Sequence, residues 1–176
     1  MKLKTHNIFT IGILTAIGSL FTNPVTSLIS ASILSLTINQ IIDSLGHKIN
    51  ARGYHARTPL THTIVRSVLW GLIPTVVLFL LFGSFDKLPE LHLNGSQPYW
   101  ILLQGIFAGP LHMCLDMITE GGIFKRKDGR FVRFAVAHIA YDDLFWNVFF
   151  QLIGFVFVFL LFYSRGLLGG YHGRVI

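Results

Sequence analysis

Cysteine is nearly absent from this chain, and charge is scarce. One cysteine, Cys114, stands among 176 residues. It lies inside an apolar run, which excludes a disulfide framework and any zinc site built on paired thiolates. Only 12% of the residues are charged, and 8 of them in all are acidic. A soluble domain carries roughly twice that charged fraction. What is present instead is apolar: 52% hydrophobic and 14% aromatic residues, with a mean hydropathy of +0.62. The composition reads as an all-α integral membrane protein. The net charge of +6 does not point to nucleic acid, because the basic residues sit in short loops beside apolar runs, where they set orientation. No nucleic-acid partner is expected; membrane lipid is.

The apolar runs give the organisation. The first, residues 8–21, is shorter than the ~20 residues of a perpendicular span and reads as a short helix or a re-entrant segment. Lys2 and Lys4 precede it, but no clean cleavage site follows, so it is expected to be a retained helix rather than a signal peptide. Asn23-Pro24 supplies an N-cap and a first helical position for the second run, 25–45, which leaves the helix at Gly46. The third run, 61–82, has Thr58-Pro59 as cap and first turn and a kink at Pro74. A polar connection with Asp86, Lys87 and Glu90 leads to the fourth, 99–119, bent by Gly105, Gly109 and Pro110 and closed by Gly121-Gly122. Residues 125–133 read as a basic loop and 134–141 as a short interfacial helix. Asp142 or Asp143 caps the fifth run, 144–163. The expected fold is a bundle of about five transmembrane helices plus that interfacial helix. It forms one domain over 1–163, followed by a loosely ordered tail, 164–176.

Five spans place the N-terminus and the 47–60 and 120–143 loops on one side, together with Lys2, Lys4, Lys48, Arg52, Arg57 and the run of basic residues from Lys125 to Arg133. The opposite side's internal loops hold only Lys87, and the tail adds Arg165 and Arg174. The positive-inside rule makes the first side cytoplasmic, in a multi-pass protein of the cell membrane.

That side also gathers the ionisable residues. The stretch 43–63 carries Asp43, three histidines, three basic residues and three threonines between two apolar runs. Asp43 and His47 are four residues apart and share a helix face; His112 and Asp116 repeat the spacing, as do His138 and Asp142. His62 opens the third run. Ionisable groups at a bilayer span are costly and mark functional sites. Inward-facing His and Asp side chains on neighbouring helices are how bundles hold metal. The ligand mixture suits zinc, manganese or iron without choosing among them. Expected ligands are Asp43, His47, His62, His112 and Asp116, with His138 and Asp142 completing a second site or supporting the first. Glu120, one turn beyond Asp116, is a candidate general base. Arg57 and Arg66 are candidates to hold an anionic group. Plainer roles stand beside these: capping for Asp142, Asp143, Thr58 and Thr61, solvation for His6, His92 and His172, lipid contact for 125–133. His55 is left open.

The blocks Ile42-Asp43-x-x-Gly46-His47, Arg57-Thr58-Pro59-Leu60-Thr61-His62, His112-x-x-x-Asp116-x-x-Thr119-Glu120-Gly121-Gly122-Ile123-Phe124 and Ala137-His138-x-x-Tyr141-Asp142-Asp143 resemble an uncharacterised archaeal membrane-protein family, a domain of unknown function, over nearly the whole chain. More distantly they resemble the membrane-bound metal-dependent hydrolases, whose pattern is an Asp-x-Asp-His element, an Arg-x-x-Thr-His-Ser element and a later His-x-x-x-Asp-x-x-Thr. Asp43 and His47 stand in the first, Thr61-His62-Thr63 in the second, and His112, Asp116 and Thr119 in the third. The first element has lost an acidic residue and widened its spacing, and Arg57 lies two residues too far from the Thr-His pair. The resemblance implies a metal-dependent hydrolase acting on a lipid-linked or membrane-proximal ester or phosphoester. A proton-coupled transporter using the same pairs as a relay, or a structural membrane protein without catalysis, are the alternatives. The sequence sets neither the substrate nor the oligomeric state.

Overall fold

The structure, a computed structural model, describes residues 1–49, 55–85 and 99–168, with backbone only at 55 and 82–85. The polar connection with Asp86, Lys87 and Glu90, the residues Arg52, His92, His172 and Arg174, and the tail from 169 onward lie outside the described residues.

Five helices carry the fold: α1 Leu3–Gly18, α2 Pro24–Gly46, α3 Ile64–Phe85, α4 Tyr99–Ile118 and α5 Leu144–Ser164. Two small antiparallel hairpins join them, β1 His47–Ile49 with β2 His55–Arg57, and β3 Ile123–Lys127 with β4 Arg130–Phe134. α2, α3, α4 and α5 are long and apolar enough to cross a bilayer. α1 has 16 residues, about 24 Å of helix, and begins at Leu3 rather than with the apolar run.

Local chemistry explains the boundaries. Asn23 caps α2, its Oδ1 accepting from the Thr26 N–H at 2.8 Å, with Pro24 at the first position. Asp143 caps α5 by accepting from the Trp146 N–H at 3.1 Å. For α3 the expected Thr58-Pro59 start is corrected. The helix begins at Ile64, where Thr63 Oγ1 accepts from the Arg66 N–H at 3.2 Å. Residues 58–63 form turns, and the Thr58 N–H donates to the Gly46 carbonyl at 2.7 Å. His62 therefore sits on a tight turn between α2 and α3 instead of on a helix face.

The short interfacial helix over 134–141 is also corrected. Asp128 and Gly129 both have positive φ, 50° and 76°, the conformation of a two-residue hairpin turn, and Lys127 pairs with Arg130 across it. The basic loop is therefore a hairpin. The chain beyond it runs along the end of α4: the Val136 N–H donates to Met117 O at 2.7 Å and the Ile139 N–H to Ile118 O at 3.1 Å. These bonds satisfy carbonyls that a helix end leaves free. A helix over 134–141 would have turned the Ile139 N–H to the carbonyl of Ala135 instead.

The helices alternate in direction. At one end meet the starts of α1, α3 and α5, the ends of α2 and α4, and both hairpins. The Lys2 N–H donates to Asn147 Oδ1 at 3.0 Å, and the Phe124 N–H to His62 O at 2.7 Å. At the other end Arg165 reaches the Ser19 carbonyl at 3.4 Å. α1 thus runs from one end to the other as a single helix. Small residues set the spacing: a Cβ on Gly105 would strike Thr75, one on Gly109 the Ser67 backbone, and one on Gly12 the backbone of Gly154. Such faces let helices approach closely where no water drives them together. The distribution of polarity is inverted relative to a soluble protein. Thr5, Thr10, Thr15, Ser27, Ser30, Ser35, Asn39 and Gln104 are buried, whereas Leu69, Ile73, Leu80, Leu152, Phe155 and Leu160 are exposed.

Candidate metal centre

The end of the bundle with both hairpins collects its carboxylates and imidazoles. α2 brings Asp43 one turn before its end. His62 follows on the connecting turn, its ring so close to Gly46 that a Cβ there would collide with it and with Thr61. α4 brings His112 and Asp116 in its last two turns, one above the other. His62, His112 and Asp116 are fully buried, and Asp43 is 25% exposed.

Four donor atoms form a closed ring. His112 Nε2 lies 3.2 Å from Asp116 Oδ2 and 3.5 Å from Asp43 Oδ1. His62 Nε2 lies 3.8 Å from Asp43 Oδ1 and 3.5 Å from Asp116 Oδ2. Three of these atoms, His62 Nε2, His112 Nε2 and Asp116 Oδ2, are buried and make no hydrogen bond.

The surroundings fix the ring tautomers. Asn39 Oδ1, 3.0 Å from His112 Nδ1, can only accept, so that nitrogen carries the proton. The Asn39 amide is oriented in turn by donating to Asn7 Oδ1 at 2.9 Å and to Ser35 Oγ at 3.1 Å. Thr61 spends its one hydroxyl proton on Ile42 O at 2.9 Å, so at 2.9 Å from His62 Nδ1 it accepts. Both imidazoles in their neutral form therefore turn an Nε2 lone pair toward carboxylate oxygens. Burial holds the His62 imidazole below its usual value of 6.5, against the pull of Asp43, which favours that neutral form. Lone pairs facing carboxylates repel, and a cation among them turns the repulsion into ligation.

Asp116 Oδ1 is engaged elsewhere. Arg57 Nη2 donates to it at 2.6 Å, while Arg57 Nη1 donates to Thr119 Oγ1 at 3.1 Å and Gly122 O at 2.9 Å. His6 Nε2 lies 3.3 Å from the same oxygen, with its ring stacked 3.9 Å from that of His112. The Met1 amine is 3.9 Å away, and burial pushes its pKa down. Among the described residues two separate sets satisfy metal-ligand spacing, His6, His112 and Asp116, and Asp43, His47 and His62, and the ring draws two members from each.

Of the expected residues, the structure brings together Asp43, His47, His62, His112 and Asp116. His47, opposite Arg57 in the β1–β2 ladder, stands at the exposed edge, with Nδ1 2.7 Å from the Asp43 carbonyl. His138 and Asp142 are exposed and belong to neither set; without a helix there, their spacing does not align them. Glu120 is exposed beyond the end of α4, so it is not one turn above Asp116. Arg57 clamps Asp116 rather than facing an entering anion. Arg66 turns away, donating to Pro59 O at 2.7 Å with its guanidinium over the Phe131 ring. Thr61 supports His62 and is not a helix cap.

His6, expected to be solvated, is 1% exposed and part of the cluster. Its signal was weak: a histidine near the chain start beside two lysines, with no acidic residue in register. Asn39 was equally missed, although a lone amide inside an apolar run is itself a signal.

Fold and site together define a helical protein with four bilayer-length apolar helices and a buried His/Asp cluster at one end. Residues 1–115 match the family described as a protein of unknown function, DUF1286, and the chain belongs to that family. The matched stretch includes Asp43, His47, His62 and His112 and stops one residue before Asp116. Neither a curated protein nor a solved structure matches the chain.

Proposed function

We propose that this protein is a membrane-embedded, metal-dependent hydrolase acting on a lipid-linked or membrane-proximal ester or phosphoester. Its site would lie at the cytoplasmic end of a five-span bundle. One observation carries the metal: three buried, unbonded donor atoms and the Asp43 carboxylate lie in a ring with edges of 3.2 to 3.8 Å. Donors bonded tetrahedrally at zinc-like distances stand about 3.3 Å apart. The four edges of the ring are close to that spacing, and a divalent ion such as zinc, manganese or iron would draw the donors together across it.

A bound ion would acidify a water and polarise an ester or phosphoester oxygen. The chain's own residues prepare the place. Arg57 fixes Asp116 so that Oδ2 faces inward. Asn39 and Thr61 hold the imidazole tautomers. Among the described residues, Asp43 and His47, each 25% exposed, give the ring a side that substrate and water could reach. The distant likeness to membrane-bound metal-dependent hydrolases supports the same reaction class. The relay alternative is less favoured, because the buried polar groups farther along the bundle, Ser27, Ser30 and Gln104, are bonded to one another and to backbone carbonyls.

The test is elemental analysis of protein purified without chelator, followed by hydrolysis assays on phospholipid and acyl-ester substrates. About one equivalent of a divalent transition metal is expected, lost in His112→Ala. Hydrolysis should vanish with chelator and return with metal. Metal without hydrolysis of either class would end the enzyme reading and leave a metal-binding protein.

A further inference from the structure

A second site lies on the other side of His62. A cavity of about 450 Å³ opens between the first turn of α3 and the β3–β4 hairpin. Its walls include Thr63, Arg66, Phe124, Lys125, Arg126 and Phe131, and among the described residues no acidic one lines it. In the hairpin, Arg126 pairs with Phe131 across the ladder, so both side chains project from one face. Arg66 enters from α3, one edge bonded to Pro59 O and its plane 4.8 Å from the Phe131 ring. The first-turn N–H groups of α3 add the positive end of a helix dipole. Two cations, Arg66 and Arg126, a helix start and two aromatic rings thus meet in one recess, while Lys125 projects from the opposite face of the hairpin with its Nζ 4.2 Å from the Phe134 ring centroid.

Below the recess the surface is hydrocarbon. Val65, Leu69 and Ile73 fall one turn apart on α3 and are 73%, 57% and 57% exposed. They form a continuous apolar stripe that begins at the cationic recess and runs along the helix. An anion alone would use only the top of this surface, and a hydrocarbon alone only the stripe.

We infer that this recess seats the phosphate head group of an anionic bilayer phospholipid, with one acyl chain lying along Val65, Leu69 and Ile73. The inference rests on the membrane placement proposed above and not on the metal or on hydrolysis. The lipid would bear on the His/Asp cluster through one link: strand β3 is bonded to the backbone of His62 by the Phe124 N–H at 2.7 Å. An occupied recess clamps the hairpin to α3 and so steadies the turn that carries His62.

Protein reconstituted in mixed phosphatidylglycerol and phosphatidylcholine nanodiscs, then released into detergent, can be weighed with its retained lipids by native mass spectrometry. Phosphatidylglycerol should be retained over phosphatidylcholine by about tenfold, given two cations in the recess. The variant Arg126→Gln, on an exposed hairpin, should lower that ratio about fivefold while leaving bound metal unchanged. Inorganic phosphate in excess should fail to displace the lipid. Equal retention of the two lipids, an unchanged ratio in Arg126→Gln, or full displacement by phosphate would each overturn the inference. None of these outcomes depends on His112 or on metal content, so the hydrolase reading stands or falls separately.

Discussion

Two of the buried polar clusters among the described residues are finished differently. Near the end opposite the hairpins, Gln104 donates through Nε2 to Leu14 O at 2.9 Å and Ser27 Oγ at 3.2 Å, and accepts from Ser30 Oγ at 2.7 Å. Ser27 passes its own proton to Thr15 O at 2.8 Å. Donor and acceptor sides of the amide are both used, and three helices are tied together. At the other end, His62, His112 and Asp116 are just as deeply buried, yet each keeps an inward atom unbonded. A satisfied network locks a fold; a buried network with atoms left over is costly and signals something that completes it. Polarity alone does not separate a lock from a ligand site. The bookkeeping of donors and acceptors does.

The largest expected effect comes from Asp116→Asn. It removes a ring donor and leaves the Arg57 guanidinium without its charge partner. Elemental analysis should show the metal gone, and unfolding in detergent should show a loss of about 3 kcal/mol. Retained metal in this variant would place the ion elsewhere. Next is Asn39→Ala, which leaves all four ring donors in place but frees the His112 tautomer. Metal affinity, measured by competition with a chromogenic chelator, should fall about 10- to 100-fold.

Gln104→Leu sharpens the contrast from the other side. It should cost about 1–2 kcal/mol of stability by removing the bonds that tie Gln104 to Leu14 O, Ser27 Oγ and Ser30 Oγ, with metal content unchanged. If it lowered metal content as much as Asn39→Ala, the two clusters would be one system and the comparison would fail. Smallest of all, His138→Ala and Asp142→Asn should each change stability by less than about 0.5 kcal/mol and leave metal untouched, as expected of exposed side chains.

Much of the architecture was legible because helices announce themselves by apolar runs and caps. Asn23-Pro24, Gly46 and Asp143 do what their residue types suggest. The gathering of Asp43, His47, His62, His112 and Asp116 followed from charges that an apolar run does not tolerate idly. What escaped depended on contacts far apart in sequence. Arg57 reads as a free cation until Asp116 is placed beside it, 59 residues on. His6 and Asn39 acquire meaning only from the neighbouring helix. The β3–β4 hairpin was within reach, since Asp128-Gly129 between short alternating stretches is a turn signal, but the density of basic residues masked it. The start of α3 was misjudged because Thr58-Pro59 and Thr63 are both credible openings, and only the bond from Thr58 to Gly46 decides between them.

α5 touches the rest of the molecule along a narrow seam. Of its 21 residues only Asn147 and Gly154 are fully buried, and Gln151 lies between them, reaching Thr5 Oγ1 at 2.9 Å. These three positions fall four and three residues apart, on one line down the helix. Every other outward position needs only to be apolar. Under mutation, then, α5 should behave as a nearly blank stave whose fixed letters are these three and, beside them, Trp146, Phe150 and Ile153, which pack on Met1, Phe9 and Leu115. Its surface can drift freely, while a methyl group added at Gly154 would meet the backbone of α1 at Ile8 and Phe9 and pry the two helices apart.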